Sequence, residues 1–321
     1  MPLKWLKMTA LAALFGAAAL AAQGGPALGS LREEDERLLR IVEPILAANL
    51  PLCDRTMPRL GVALQSIDQY PDRARPPFAA PVAFAAVLPD SPAAQAGIVR
   101  DDGLLAIDGR EIARRPELET SPLRDSAFAA LAEHDPAEPL VLDIAHGTGR
   151  RQVTIAPARE CRALVEILAD NGSTAHSDGR VIQISYALAR RASDEELAVT
   201  FAHELAHAIL HHRDRLASAG VSKGLAAEFG RDRRLNREAE IEADRLSVHL
   251  LANAGLDPRI APAFWRSQLG QELDAGLLRS RVYPSPEARA QEMESEIALY
   301  LAGGAPSYPG HLLSRRDRPL R

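Results

Sequence analysis

Residues 200–212 read TFAHELAHAILHH and hold four of the chain's nine histidines. His203 and His207 stand one helical turn apart, so two imidazoles on one face can grip a single metal ion. Glu204 is turned from His203 by about 100° of helix rotation, which aims it at a water beside the metal rather than at the metal. The helix is signalled independently. Ser193 and Glu196 have capping-box spacing, and Leu197, Phe201, Leu205 and Ile209 recur every fourth residue as a core stripe. A straight helix cannot wrap a third turn around an ion at ~2 Å. His211 and His212 are therefore expected at an exposed or cleft-rim helix end, where positive charge suits the dipole.

A hydrolytic zinc centre takes three protein ligands and keeps one position open. The run EIEADRLSVHL, residues 240–250, offers the third. Ala239, Ala243, Leu246 and Leu250 make another core stripe, and Gly255 and Pro258 stop that helix. Glu240 and Asp244 stand a turn apart on a different face. Glu240 is the candidate third ligand. Asp244 is the candidate acceptor for a ligating imidazole, whose tautomer it would hold. With Glu238 and Glu242 beside them, the other reading is a solvated acidic face.

Together AHELAHAIL and EIEADRL resemble the gluzincin peptidases that include the HtpX heat-shock protease, the CAAX prenyl-protein endopeptidase and the mitochondrial OMA peptidase. The shared pattern is H-E-x-x-H on one helix and E-x-x-x-D on the next, and the resemblance covers about residues 160–300. It implies one catalytic zinc on His203, His207 and Glu240, Glu204 as general base, and Asp244 behind a ligand. The stretch DGRVIQIS resembles the family's strand leading into the zinc helix, and substrate is expected to lie as an extended strand beside Val181–Tyr186. The family's His-Pro step reads YPSPEARAQEM here. Tyr283 takes the histidine's place, as an oxyanion donor or as a packing residue, and Arg289 is kept near the cleft.

Upstream, residues 59–157 read as short strands and two short helices, the pattern of a small α+β domain. VLPDSPAAQAGI followed by LLAIDGREI resembles the core of a PDZ domain of exported bacterial proteases. The resemblance makes Leu60, Gly61 and Val62 the loop and strand bordering a peptide groove, with a PDZ peptide ligand added as a strand. Two departures stand out: Asp101-Asp102-Gly103 before the Leu-Leu strand, and the insert QYPDRARPPFAAP. Residues 31–50 read as an amphipathic helix interrupted near Pro44.

The first 22 residues read as a secretory signal peptide, with Lys4 and Lys7, then an apolar run from Met8 to Ala22 ending in Ala19-Leu20-Ala21. An uncleaved inner-membrane anchor is the alternative, although the run is short against the ~20 residues of a spanning helix. Export to a periplasm makes Cys53 and Cys161 a candidate disulfide, the alternative being two buried thiols. A net charge of −5 and 4% aromatic residues give no case for nucleic-acid binding. The expected organisation is α+β: signal peptide 1–22, a helical segment 23–56, a PDZ-like β-rich domain 57–158, a mainly helical metallopeptidase domain with a small sheet 159–303, and a solvated basic tail 304–321. The expected function is a zinc endopeptidase acting on misfolded envelope proteins, with no membrane span after signal cleavage. The alternative is a PDZ-based adaptor with a silent zinc site. Residues 213–237, with seven basic and three acidic side chains, are either a cover over the cleft or a solvated connector.

Overall fold

The computed structural model describes residues 28–320 except 71–74, 115–120, 136, 157, 171, 173, 178, 222–229 and 275–283. The expected signal peptide and Tyr283 lie outside the described residues. Helix α1 (Leu28–Ala48) runs through Pro44 rather than breaking there. A proline inside a helix costs roughly 3 kcal/mol. Leu38, Val42, Ile45 and Leu46 are each at most 3% exposed, and at about 1.5–3 kcal/mol per buried aliphatic side chain that burial outweighs the cost.

The next segment folds as β1 (Thr56–Pro58), β2 (Val62–Ser66), β3 (Val82–Val87), α2 (Pro92–Gln95), β4 (Gly103–Ile107), β5 (Arg110–Glu111), α3 (Pro122–Ala132), β6 (Leu140–His146) and β7 (Gly149–Ile155). The sheet order is β2-β3-β4-β6-β7, with β5 paired to β4. Alternation in β2, and a register shift against β3 between Ala63 and Leu64, divide these two strands between two cores. Leu64 and Phe84 pack with α3 in the β-rich core, and Ala63 and Ala86 pack in the helical core that contains α1. The stretch DSAFAALAEH, residues 125–134, reads from sequence as a short helix with Asp125 near its N-cap, whereas α3 starts at Pro122. Proline suits a first helical turn because its missing N–H has no partner to lose there. Asp125 is buried beside Arg124, which also pairs with Glu166.

Gly61 has φ +69°, and a Cβ there would lie 2.5 Å from the Cβ of Ser91, the residue capping α2. The space bordered by Leu60, Gly61 and Val62 is not an open peptide groove. Leu39 and Leu46 of α1 and Ala163, Leu164 and Val165 fill it, leaving a cavity of about 30 Å³. The chain's own apolar residues cover a surface that the sequence alone suggests is exposed.

Strand β8 (Arg159–Cys161) pairs with β1, and Cys161 is disulfide-bonded to Cys53 with Cα atoms 5.5 Å apart. A three-stranded sheet follows: β9 (Leu164–Leu168), β10 (Ala175–Ser177) and β11 (Val181–Ser185), in the order β10-β11-β9. β9 and β11 are parallel, while β10 and β11 are antiparallel. Val181–Ser185 is thus the central strand, correcting its expected place at the sheet edge. Its five residues are all buried, and β10 is the edge.

Helices complete the chain: α4 (Tyr186–Arg191), α5 (Asp194–Ile209), α6 (His212–Ser218), α7 (Gly230–Asn253), α8 (Ile260–Arg266), α9 (Gln268–Asp274), α10 (Pro286–Tyr300) and α11 (Gly310–Leu313). Residues 213–221 and 230–237 are therefore largely helical rather than a loop. The last residues are not a solvated tail either. Leu312 and Leu320 are buried, Arg316 donates to the Leu52 carbonyl, and Arg315 pairs with Glu242. No described helix is long and apolar enough to cross a membrane.

Candidate metal centre

Helix α5 opens with the expected capping box: Ser193 N donates to Glu196 Oε2 at 2.8 Å, and Glu196 N donates to Ser193 Oγ at 3.2 Å. Leu197, Phe201, Leu205 and Ile209 are at most 4% exposed and hold the helix against the core. The opposite face meets α7, whose Ala239, Ala243, Leu246 and Leu250 are buried in turn. Two amphipathic helices packed this way bring residues 203, 207 and 240 together across 33 to 37 positions of sequence.

The three side chains form a triangle, one donor atom from each lying within 4.8 Å of the others. His203 Nε2 lies 3.1 Å from His207 Nε2 and 3.3 Å from Glu240 Oε2, and His207 Nε2 lies 3.4 Å from Glu240 Oε1. Ligand atoms about 2.0–2.1 Å from a tetrahedral ion sit about 3.3 Å from one another, so the residues fit a single metal ion. Glu204 lines the same cleft, which has a volume of about 610 Å³. Ala175 and Ser177 of the edge strand β10 form part of its wall.

Behind the triangle, Asp244 Oδ1 lies 3.0 Å from His203 Nδ1. This is the contact expected from the sequence. With a metal ion bound, this contact would keep a proton on Nδ1 and turn the Nε2 lone pair to the ion. Arg289 of α10 clamps Asp244 with Nε and Nη2, both at 2.6 Å, and stacks 3.5 Å over the Trp265 ring.

His212 corrects the sequence expectation most sharply. It is 1% exposed, and its Nδ1 lies 2.9 Å from Nδ1 of His207. Helix α5 ends at Ile209 because His211 adopts φ +54°, and the chain turns back into α6 there. His211 is not exposed at a helix end either, since its ring is mostly covered and lies 3.1 Å from Asp54. Glu242 likewise departs from a solvated face. It is buried, 3.1 Å from His212 Nε2 and 2.6 Å from Arg215 Nη1. The signal for this was faint: neither Leu210 nor His211 is a glycine or proline, so nothing local marks the break.

Glu240 and His207 are held in the forms that accept a cation, whereas His203 holds a proton that a metal ion would displace. Burial would raise Glu240, but His207, His203 and Arg289 hold it well below the usual carboxylate range. Burial pulls His207 well below the ordinary histidine range despite Glu240. Burial also opposes charge on His203, but its contacts with Asp244 and Glu240 prevail and raise it to about 9. A second group, His249, Glu296 and His311, also has its donor atoms within 4.8 Å. There, both Nε2 atoms reach one carboxylate oxygen, Oε1, at 2.9 and 2.7 Å, and Arg245 takes Oε2 at 2.6 Å. That group is a satisfied hydrogen-bond cluster. The triangle differs in lining the cleft of about 610 Å³ beside Glu204.

No protein-family model matches the chain. Part of it is similar to an Arabidopsis thaliana protein named mitochondrial metalloendopeptidase OMA1, with 29% identity over 153 residues. The match covers 38% of this chain and 30% of the relative, so the chain spans less than a third of that protein's length. The likeness supports a metallopeptidase, a class in which a metal and protein substrates go together.

Proposed function

We propose that the protein is a zinc-dependent endopeptidase, with His203, His207 and Glu240 as zinc ligands and Glu204 as general base. The observation that carries this reading is the convergence of two imidazoles and a carboxylate, with one donor atom from each within reach of a single ion and Glu204 in the same cleft. Zinc held there would supply Lewis acidity, lowering the pKa of water and polarising a scissile carbonyl. Glu204 takes the proton from the attacking water and passes it to the leaving amine. Asp244 and Arg289 orient His203. The substrate backbone pairs with the edge strand β10, whose Ala175 and Ser177 border the cleft.

The signal-like N-terminal run, the Cys53–Cys161 bond and the PDZ-like segment favour an exported enzyme of envelope protein quality control. Because α1 and β9 fill the space beside Leu60–Val62, the β-rich segment braces the catalytic helices in this reading rather than offering that groove to a peptide.

Glu204→Gln tests the mechanism. The variant should bind one zinc per chain like the wild type while casein cleavage falls by at least about a hundredfold, the lower end of a general base's contribution. Cleavage at the wild-type rate would refute the assignment. Chelation should abolish cleavage by the wild type, and added zinc should restore it.

A further inference from the structure

His212 lies one hydrogen bond behind a ligand, where Asp244 lies behind the other. Two ring nitrogens 2.9 Å apart, His207 Nδ1 and His212 Nδ1, need one proton between them: one donates and the other accepts. The far side of His212 settles the direction. Its Nε2 lies 3.1 Å from Glu242 Oε2. That carboxylate is also bonded by Arg215 at 2.6 Å and Arg315 at 3.1 Å, and it accepts only. Glu242 therefore takes the Nε2 proton of His212. His212 Nδ1 is left with a lone pair, so the proton between the two rings belongs to His207 Nδ1. The Nε2 of His207 then carries no proton and faces His203 and Glu240.

We infer that His212 and Glu242 are a positioning pair that holds His207 in the Nδ1–H tautomer, presenting its Nε2 lone pair to the metal position. The two ligand histidines are thus backed in the same way. A carboxylate held by arginine stands behind each, directly for His203 and through an intervening imidazole for His207. Glu242 projects from a side of α7 about 200° of helix rotation away from Glu240 and Asp244, so it meets α6 rather than α5. The intervening imidazole spans the gap. Arg215 also donates to the Arg318 carbonyl, and Arg315 lies just beyond α11, so the C-terminal segment fastens the outer end of this chain.

This inference rests on His207 being a ligand, and the test keeps the two apart. Zinc affinity is measured on the full chain by competition with a chromogenic chelator, for His207→Leu, His212→Leu and His212→Asn. His207→Leu should lose stoichiometric zinc. If it binds as tightly as the wild type, the ligand assignment itself falls. Leucine at 212 fills the space without an acceptor, whereas the asparagine amide oxygen sits close to the position of Nδ1. His212→Leu should bind zinc ten- to a hundredfold more weakly, the usual loss when a partner behind a ligand is removed. His212→Asn should stay within about threefold of the wild type on the same ground. Long-range proton–nitrogen spectra of the zinc-free protein should show His207 as the Nδ1–H tautomer in the wild type and as a mixture in His212→Leu. Wild-type affinity in His212→Leu, or equal losses in the leucine and asparagine variants, would overturn the inference. If His212→Leu does not fold, the His207 tautomer in the wild type and the affinity of His212→Asn decide it.

Discussion

At the scale of single residues, the site depends on what stands behind the donors. Asp244 and Arg289 are 1% and 4% exposed, with two bonds of 2.6 Å between them. Removing one member of a buried pair leaves the other charge without compensation, at about 3–5 kcal/mol. Arg289→Ala should therefore destabilise the zinc-free protein by about that amount, measured by urea unfolding. A loss below about 1 kcal/mol would mean that water replaces the guanidinium and that the clamp is dispensable. His203, His207, Glu204, Glu240 and Asp244 were all legible in the sequence, because i, i+4 spacing on a helix is a local geometric fact. His212 was not. Its role depends on a left-handed residue, His211, at a position whose side chain does not announce one.

At the scale of elements, α5 and α7 formed where the sequence placed them, since caps and stripes act within a few residues. The Ser193–Glu196 box holds the start of the metal helix, and Ser193→Ala should cost about 1 kcal/mol, read as a lower urea midpoint with an unchanged slope. An unchanged midpoint would show that tertiary packing alone holds that end. Other elements were misread for a common reason. The central place of β11, the α3 start at Pro122 and the unbroken course of α1 through Pro44 depend on partners distant in sequence. A strand's own residues do not say which neighbour lies on each side, and a proline's cost says nothing about the burial that opposes it.

At the scale of the molecule, α1 joins the two cores through buried polar groups as well as apolar ones. Asp35 accepts from Ile167 N at 2.8 Å and from Gln65 Nε2 at 2.8 Å, linking α1 to strands β9 and β2 of two different sheets. Burial lifts its pKa to about 8, against the bonds from Ile167 and Gln65. Above the ordinary aspartate range the unfolded chain has released this proton, while the folded chain keeps it until about pH 8. Its contribution to stability is therefore greatest in acid and declines as pH rises towards 8. Glu160, raised to about 8 by burial and Glu43, acts with the same sign. Urea melts from pH 5 to 8 should show the wild type losing up to about 1.4 kcal/mol per pH unit through Asp35. Asp35→Asn should remove that share of the slope. Identical slopes in the two proteins would refute the buried-proton account.

The sequence by itself determined the two packed helices and the positions of the candidate ligands and candidate base on them, and it offered Cys53 and Cys161 as a candidate pair. The helices and their residues follow from spacing, caps and residue chemistry that act locally; the bond between the cysteines was settled only when the fold brought their Cα atoms to 5.5 Å. Tertiary structure alone decided that the groove beside Leu60–Val62 is filled, that β10 rather than β11 borders the cleft, and that the C-terminal segment reaches Glu242 and through it His212. These are outcomes of which distant surfaces cover one another. Burial of apolar area is non-directional, so the pattern of a segment says that it will be covered without saying by what.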